Sequence, residues 1–254
     1  MSSMEKAFTI NQDGYSIRCK LYSKEPRSAK RAVIFCHGFG GNKESRSAAR
    51  YAEYVLSKNK GTAVISFDWP CHGEDARRNL RLEDCLNYLE IVCAWVKETL
   101  SPDELCGYGT SFGGYLTLLY IHERVMPFRK AVLRCPAIPM HQVMADSVLT
   151  KENMERIEKG KEVFAGHDRK IRIDHVFLDE VQQNDVTQYD YSDYADDILV
   201  IHGMKDELVP IAPVKDFAEN NFFDFVTVEN ADHRFRDPKA MDQVVLHIES
   251  FFDK

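Results

Sequence analysis

No stretch of the 254-residue chain approaches the roughly 18 apolar residues that a spanning helix needs. The opening segment, MSSMEKAFTI, lacks the apolar core of a signal peptide. Basic residues do not dominate. The 33 Lys and Arg are outnumbered by 40 Asp and Glu, the net charge is −7, and the acids are spread along the chain rather than gathered in a tail. That balance argues against a nucleic-acid partner, which usually leaves a basic stripe. Cys-x-x-Cys and His-Glu-x-x-His are both missing, so no metal site is expected. The seven cysteines are odd in number and show no paired spacing, which excludes a disulfide framework. Cys36, Cys93, Cys106 and Cys135 lie in apolar runs and read as small buried hydrophobes. Cys71, beside His72, is the only thiol worth weighing as a nucleophile or ligand, and a structural role is the better reading. There are no internal repeats and no low-complexity tract. A soluble, cytoplasmic protein is expected, without nucleic-acid or membrane partners.

What is present is a chain long enough for one large α/β domain or two small ones, with an ordinary 44% hydrophobic content. KAFTI and YSIRCKLY flank NQDG and predict an opening hairpin. AVIFCHG, TAVISFDW, ELCGYG, KAVLRCP, DILVIHG and DFVTVEN are nearly continuous apolar runs, the pattern of strands covered on both faces. Amphipathic segments alternate with them. Leu82, Leu86, Leu89, Cys93, Val96 and Leu100 mark one helical face, and Asp237 with Pro238 opens a last helix striped by Met241, Val244, Val245, Ile248 and Phe251. Strand and helix in alternation imply a mostly parallel sheet with helices on both faces. Residues 137–195 break this rhythm. We read them as a cap inserted into a core of residues 1–136 and 196–254, with TKENMERIEKGKEVFAG helical behind Thr150 and KIRIDHVFL extended.

The stretch CGYGTSFGGYL places Ser111 at a strand-to-helix junction, within Gly109-Thr110-Ser111-Phe112-Gly113. A tight turn there requires neighbours without bulk and lifts the hydroxyl out of the sheet at a helix N-terminus. A plain glycine-rich turn is the bland alternative. A phosphate loop fails, because GxGxxG and the lysine of a P-loop are absent. A serine nucleophile needs a base and a group to orient it. His233 follows the last strand, at the carboxyl end where crevices open in parallel sheets. His122 and His247 fall within helices, His141, His167 and His175 in the insertion, and His202 beside a turn glycine that it would support. Asp206 follows the penultimate strand and is the expected acid. Asp232 is its rival, whereas Asp196 and Asp197 lie at the wrong end of a strand. The loop HGFGGNKES offers backbone donors, and the amides of Phe39 and Phe112 are the natural pair for an oxyanion.

The motifs HGFGG, FDWPCHGED, GYGTSFGG, IHGMKDELVP and ADHRF occur in an order that resembles the α/β-hydrolase fold over nearly the whole chain. The resemblance implies an eight-stranded, mostly parallel sheet with a cap between strands 6 and 7. It also implies a triad of Ser111, Asp206 and His233, with Phe39 and Phe112 as the oxyanion hole and no cofactor. Relatives commonly carry Asp-x-x-Gly-x-Gly or Asp-x-x-Gly-His-Gly where this chain has Pro70-Cys71 before His72 and Gly73, a region we take as structural. The chain looks most like bacterial carboxylesterases of the cinnamoyl (feruloyl) esterase type, whose cap binds the phenolic end of a small-molecule ester. Gln142, Asp146, Tyr189 and Tyr191 are candidates for polar contacts from the cap, although packing onto the sheet is the better reading for the tyrosines. A prolyl-oligopeptidase-like peptidase, a thioesterase or an acyltransferase would use the same triad. A non-catalytic binding protein of this fold would usually lose one member of it. A homodimer is compatible with the sequence, which leaves the oligomeric state open.

Overall fold

A computed structural model describes residues 4–58, 61–75, 77–166 and 169–254; His167 lies outside the described residues. The elements run β1 (Met4–Gln12), β2 (Tyr15–Ser23), β3 (Arg31–Cys36), α1 (Arg46–Lys58), β4 (Thr62–Phe67), α2 (Leu82–Thr99), β5 (Glu104–Thr110), α3 (Phe112–Glu123) and β6 (Lys130–Arg134). They continue through α4 (Met140–Val143), α5 (Lys151–Glu158), β7 (Val163–Ala165), β8 (Ile171–Ile173), α6 (His175–Gln183), β9 (Ile198–Gly203), α7 (Ile211–Asn220), β10 (Asp224–Val228) and α8 (Pro238–Phe252).

Among the described residues, eight strands form the main sheet in the order β1-β2-β4-β3-β5-β6-β9-β10. The first two pair as a hairpin through Asp13 and Gly14, both at positive φ (50° and 78°), as a two-residue turn demands. β2 runs antiparallel to β4, and every other pairing from β4 to β10 is parallel. The central strands bury both faces, so their side chains divide by parity. Val33, Phe35, Cys106 and Tyr108 face α1 and α8, while Ala32, Ile34, Leu105 and Leu133 join the core with α2, α3 and α7. Every residue of α3 from Phe112 to Ile121 is buried, which explains its lack of a polar face. It lies under the sheet on one side and the inserted segment on the other, with Tyr115 Oη donating to the Asn184 carbonyl at 2.9 Å.

The segment between β6 and β9 is the insertion expected between the sixth and seventh strands of the main sheet. Its interior corrects the sequence reading in two places. α5 starts behind a Thr150 capping box with Asn153 but ends at Glu158, after which Gly160 takes φ 71° and the chain turns into β7. β7 pairs antiparallel with β8, so Val163–Ala165 are extended rather than helical. KIRIDHVFL is extended only through Ile173. Asp174 then caps α6 by accepting the Phe177 N–H at 3.0 Å, and His175 onward is helix. The same carboxylate takes both Arg81 amino groups, at 3.0 and 2.6 Å, and Glu180 accepts the N–H of Leu82, the first residue of α2, at 2.9 Å. The insertion is thus tied to the end of α2 by charge-assisted bonds as well as by apolar packing.

The loops after β3 and β4 are fixed by buried polar groups. Asp68 accepts the N–H groups of Lys43 and Glu74 at 2.7 and 2.8 Å. A Cβ on Gly73, whose φ is 53°, would fall 2.1 Å from that carboxylate, so only glycine fits. His37 and His72 are both buried. Burial lowers the His37 imidazole to about 4, against a smaller opposing effect of its bond to the Gly38 carbonyl. Burial and the neighbouring His37 lower His72 to about 3. Both rings are neutral at pH 7. Cys71 is buried at φ 67°, and desolvation pushes its thiol up to about 12, far from a reactive thiolate. Among the described residues, no helix is long and apolar enough to cross a membrane.

These two histidines set an acid limit on stability. Unfolding frees them to protonate near ~6.5, whereas the folded rings resist until about pH 4 and about pH 3. The unfolded state therefore binds more protons across that window, and stability falls as pH drops through it. Each ring should remove on the order of 2 kcal/mol at pH 5. The urea midpoint measured at pH 7 and pH 5 should drop accordingly, and an unchanged midpoint would contradict the buried neutral state of both rings.

Candidate active site

Ser111 occupies the single residue between β5 and α3, at φ 53° and ψ −117°, a conformation side chains other than glycine rarely adopt. The surrounding glycines allow it. A Cβ on Gly113 would lie 2.1 Å from the Cys36 carbonyl oxygen, one on Gly109 would lie 2.9 Å from Gly113 O, and one on Gly114 would lie 2.8 Å from Pro136. Helix α3 therefore starts in contact with the ends of β3 and β6, and Ser111 is left half-buried at its N-terminus. The turn is pinned through its backbone. Ser111 N–H donates to Arg134 O at 3.0 Å, and Ser111 O accepts from Gly114 and Ala137 at 2.9 and 3.1 Å.

The loop after β3 lies against this serine because Gly38 has no side chain: a Cβ there would be 3.2 Å from Ser111 Cβ. His37 holds the loop. Its Nδ1 bonds the Gly38 carbonyl at 2.8 Å, its Nε2 accepts the Trp69 N–H at 3.3 Å, and its own carbonyl accepts the Trp69 indole at 2.9 Å. This pairing assigns the neutral ring its proton on Nδ1. The next residue is Phe39, whose ring meets that of Phe112 edge-on at 5.8 Å. Among the described residues, neither the Phe39 nor the Phe112 N–H finds an intramolecular acceptor. Phe112 directly follows Ser111 in the chain, and Phe39 directly follows Gly38, the residue that lies against Ser111.

Asp206 and His233 meet as the sequence reading expects. His233 Nδ1 lies 2.7 Å from Asp206 Oδ2, with the acid side chain fully buried and the imidazole 11% exposed. The other oxygen, Oδ1, accepts the N–H groups of Leu208 and Val209 at 2.9 and 2.8 Å. Desolvation pushes the Asp206 carboxyl upward, but the bond from His233, its charge and the Val209 amide outweigh it, so the group stays below the ordinary carboxylate range. Gly203 makes room for the histidine loop, since a Cβ there would sit 2.5 Å from Ala231 O. The rival Asp232 faces away, with its carboxylate bonded to Arg236 Nε at 2.5 Å and to the Arg236 amide at 3.0 Å. Ser111, Asp206 and His233 follow β5, β9 and β10, with only β6 between the first two strands. The end of β6 connects them. Arg134 O holds Ser111, while Cys135 N–H bonds Ile201 O at 2.8 Å and the Cys135 thiol faces Asp206.

The cap candidates divide. Gln142 is exposed on α4, and Asp146 is exposed in the π-type turn Met144–Val148. That turn rests on the acid loop through Ser147 Oγ, which donates to Leu208 O at 2.9 Å, so it lies on the side of Asp206. Tyr189 does not join the site. Its ring stacks on His122 at 3.5 Å, near the far end of α3, about 16 Å along the helix from Ser111 at ~1.5 Å per residue. It lines a cavity of about 500 Å³ bounded by α7 and Phe222, which none of Ser111, Asp206 and His233 lines. Tyr191 is buried and donates to Leu118 O at 3.2 Å, a packing role. The sequence reading missed the surroundings of Asp206. Cys135, His202 and Asp206 bring donor atoms within 4.8 Å of one another. Burial and the Asp206 charge raise the Cys135 thiol well above its ordinary value, so it remains an S–H facing the carboxylate rather than a thiolate ligand. The positive φ of Cys135, 43°, has no signature in an apolar run of sequence.

Solved structures share this architecture at low identity. A ferulic-acid complex of Est1E from Butyrivibrio proteoclasticus matches with a TM-score of 0.77 and 21% identity over 97% of this chain and 98% of that one. Alpha/beta hydrolase domain-containing protein 10 from mouse matches at 0.72 and 18% over 98% of each. The esterase domain of a Rhodothermus marinus protein matches at 0.67 and 17% over 98% of this chain and 97% of its own. A comparison with curated protein sequences gave no significant match. The sequence profile of the prolyl oligopeptidase family matches residues 42–254, a span that contains Ser111, Asp206 and His233 and leaves out only the β-hairpin, β3 and the start of the following loop. The fold is that of the α/β hydrolases, and the chain belongs to the prolyl oligopeptidase family of serine hydrolases.

Proposed function

We propose that the protein hydrolyses carboxylic esters, small or aryl, through an acyl-enzyme on Ser111. The observation that carries this reading is the 2.7 Å bond from His233 Nδ1 to a buried Asp206, at the strand ends that also present Ser111. In this mechanism His233 Nε2 takes the Ser111 proton as Oγ attacks the ester carbonyl. Asp206 holds the ring and stabilises the imidazolium that forms. The tetrahedral oxyanion rests on the Phe39 and Phe112 amides, an arrangement worth about 10²–10³ in rate per donor. His233 then protonates the departing alcohol. Water, deprotonated by the same imidazole, attacks the acyl-enzyme and releases the acid with Ser111 restored. No step requires a cofactor.

The family assignment favours a second reading, in which the same residues cleave a peptide bond. We favour the ester because the insertion between the sixth and seventh main-sheet strands follows the plan of the cinnamoyl-esterase type that the sequence resembles. Est1E, bound to ferulic acid, is also among the structures this chain resembles. The polar surface of that insertion near the acid loop, Gln142 and Asp146, would meet the distal end of the substrate.

Replacing Ser111 by Ala should lower p-nitrophenyl acetate turnover by about 10⁶-fold without unfolding the protein. A folded S111A protein that retains turnover overturns the assignment. A panel of aryl esters, acyl-CoA thioesters and aminoacyl-prolyl amides separates the chemistries. Aryl esters should give the highest kcat/KM, and preference for the amide would establish the peptidase instead.

A further inference from the structure

His202 has no place in the mechanism above, yet it touches the group on which that mechanism turns. It lies in β9 with its side chain fully buried. Its Nε2 bonds Val209 O at 3.0 Å and lies 3.3 Å from Asp206 Oδ2, the same oxygen that receives His233, as an electrostatic contact rather than a second hydrogen bond. Both neighbours are acceptors, so Nε2 must carry the proton. Burial lowers the affinity of the ring for a second proton, against the opposing pull of the Asp206 charge. A neutral ring protonated on Nε2 leaves a bare lone pair on Nδ1, and Nδ1 is indeed buried without a partner. An orphaned buried acceptor normally costs about 1–3 kcal/mol. An apolar ring would fill the same space without that penalty. The orphan on one side of the imidazole is explained if the N–H on the other side, bonded to Val209 O, also holds the positive end of its dipole 3.3 Å from the carboxylate.

We infer that His202 is a positioning residue that sets the basicity of His233 through Asp206. This rests on the triad reading above. Asp206 Oδ1 is occupied by two loop amides, which fix the plane of the carboxylate but leave its charge on Oδ2 to be shared. There His233 makes a hydrogen bond and His202 adds an electrostatic contact to the same oxygen. The groups facing this carboxylate are His233 from the loop after β10, His202 from β9 and the Cys135 thiol from the end of β6, with the Arg134 charge acting on Cys135 from the same strand. By holding the positive end of its N–H dipole against Oδ2, His202 weakens the hold of Asp206 on a protonated His233. The ring of His233 is thereby kept neutral, and competent as a base, to lower pH than an unshared carboxylate would allow. The bond to Val209 O adds a second effect, closing the loop that presents Asp206.

The test uses the full chain with two substitutions. His202→Phe keeps a ring and removes the donor, while His202→Gln keeps an N–H near the position of Nε2. In H202F the acid limb of the kcat/KM profile for p-nitrophenyl acetate should move upward by about one pH unit, roughly a tenfold change in proton affinity. Turnover should fall about tenfold with KM little changed, and H202Q should restore both. The midpoint of the His233 ring resonances in an NMR titration provides a readout independent of turnover and should move in the same direction. An H202F protein whose acid limb and His233 midpoint match the parent overturns the inference, and so does an H202Q protein as impaired as H202F. If H202F does not fold, H202Q and His202→Asn, which draws the donor back from Oδ2, give the same comparison. Failure of the triad reading would look different: the His233 midpoint would still move, but hydrolysis would not depend on Ser111.

Discussion

The arrangement depends on one close approach, the contact of α3 with the end of β3. At Gly113 the helix backbone lies so near the Cys36 carbonyl that a single Cβ would fall 2.1 Å from its oxygen. Nothing but glycine allows the helix to begin there. Because it begins there, the chain must reverse from β5 into α3 within one residue, and Ser111 takes the positive φ that results. The loop after β3 also lies against the serine, where the absence of a side chain on Gly38 permits the contact. A strained serine and two unpartnered amides are thus consequences of one packing constraint rather than three separate features.

The electrostatics of the site follow a division between histidines sealed from solvent and one that is not. His37 and His72 are enclosed by Trp69, Phe39 and Phe112, and desolvation keeps them neutral while their ring nitrogens fasten the loops. His233 is partly exposed and bonded to a carboxylate that stays ionised, as the base of the proposed mechanism requires. Asp206 can be both buried and charged because five protein groups face it: two loop amides, His233, His202 and the Cys135 thiol. A buried carboxylate with fewer partners would be neutral and would not orient an imidazole.

Much of this was legible in the sequence, and the reasons are local. A serine among glycines between a strand and a helix carries its own steric explanation. Asp206 and His233 could be placed because parallel sheets present the residues after each strand along one edge. The hairpin at Asp13-Gly14 and the cap of α8 at Asp237 also follow from nearest-neighbour chemistry. The interior of the insertion was less legible. Its strands are three residues long and owe their existence to pairing with each other, and α6 begins where Asp174 caps it rather than where the apolar pattern changes. Tyr189 was drawn toward the site by its chemistry, but its place was decided by stacking on His122 of α3, on the far side of nearly the whole insertion in the chain. The shell of Asp206 was hidden for a similar reason: Cys135 and His202 read as an ordinary core cysteine and a turn histidine until β6 and β9 were set side by side.

The most direct measurement is the reaction of the protein with a fluorophosphonate, followed by mass spectrometry of its peptides. The account predicts one phosphonyl adduct, on Ser111, formed by the native protein and lost when His233 is replaced by Ala. A native protein that forms no adduct, or forms one elsewhere while Ser111 stays unmodified, would contradict it.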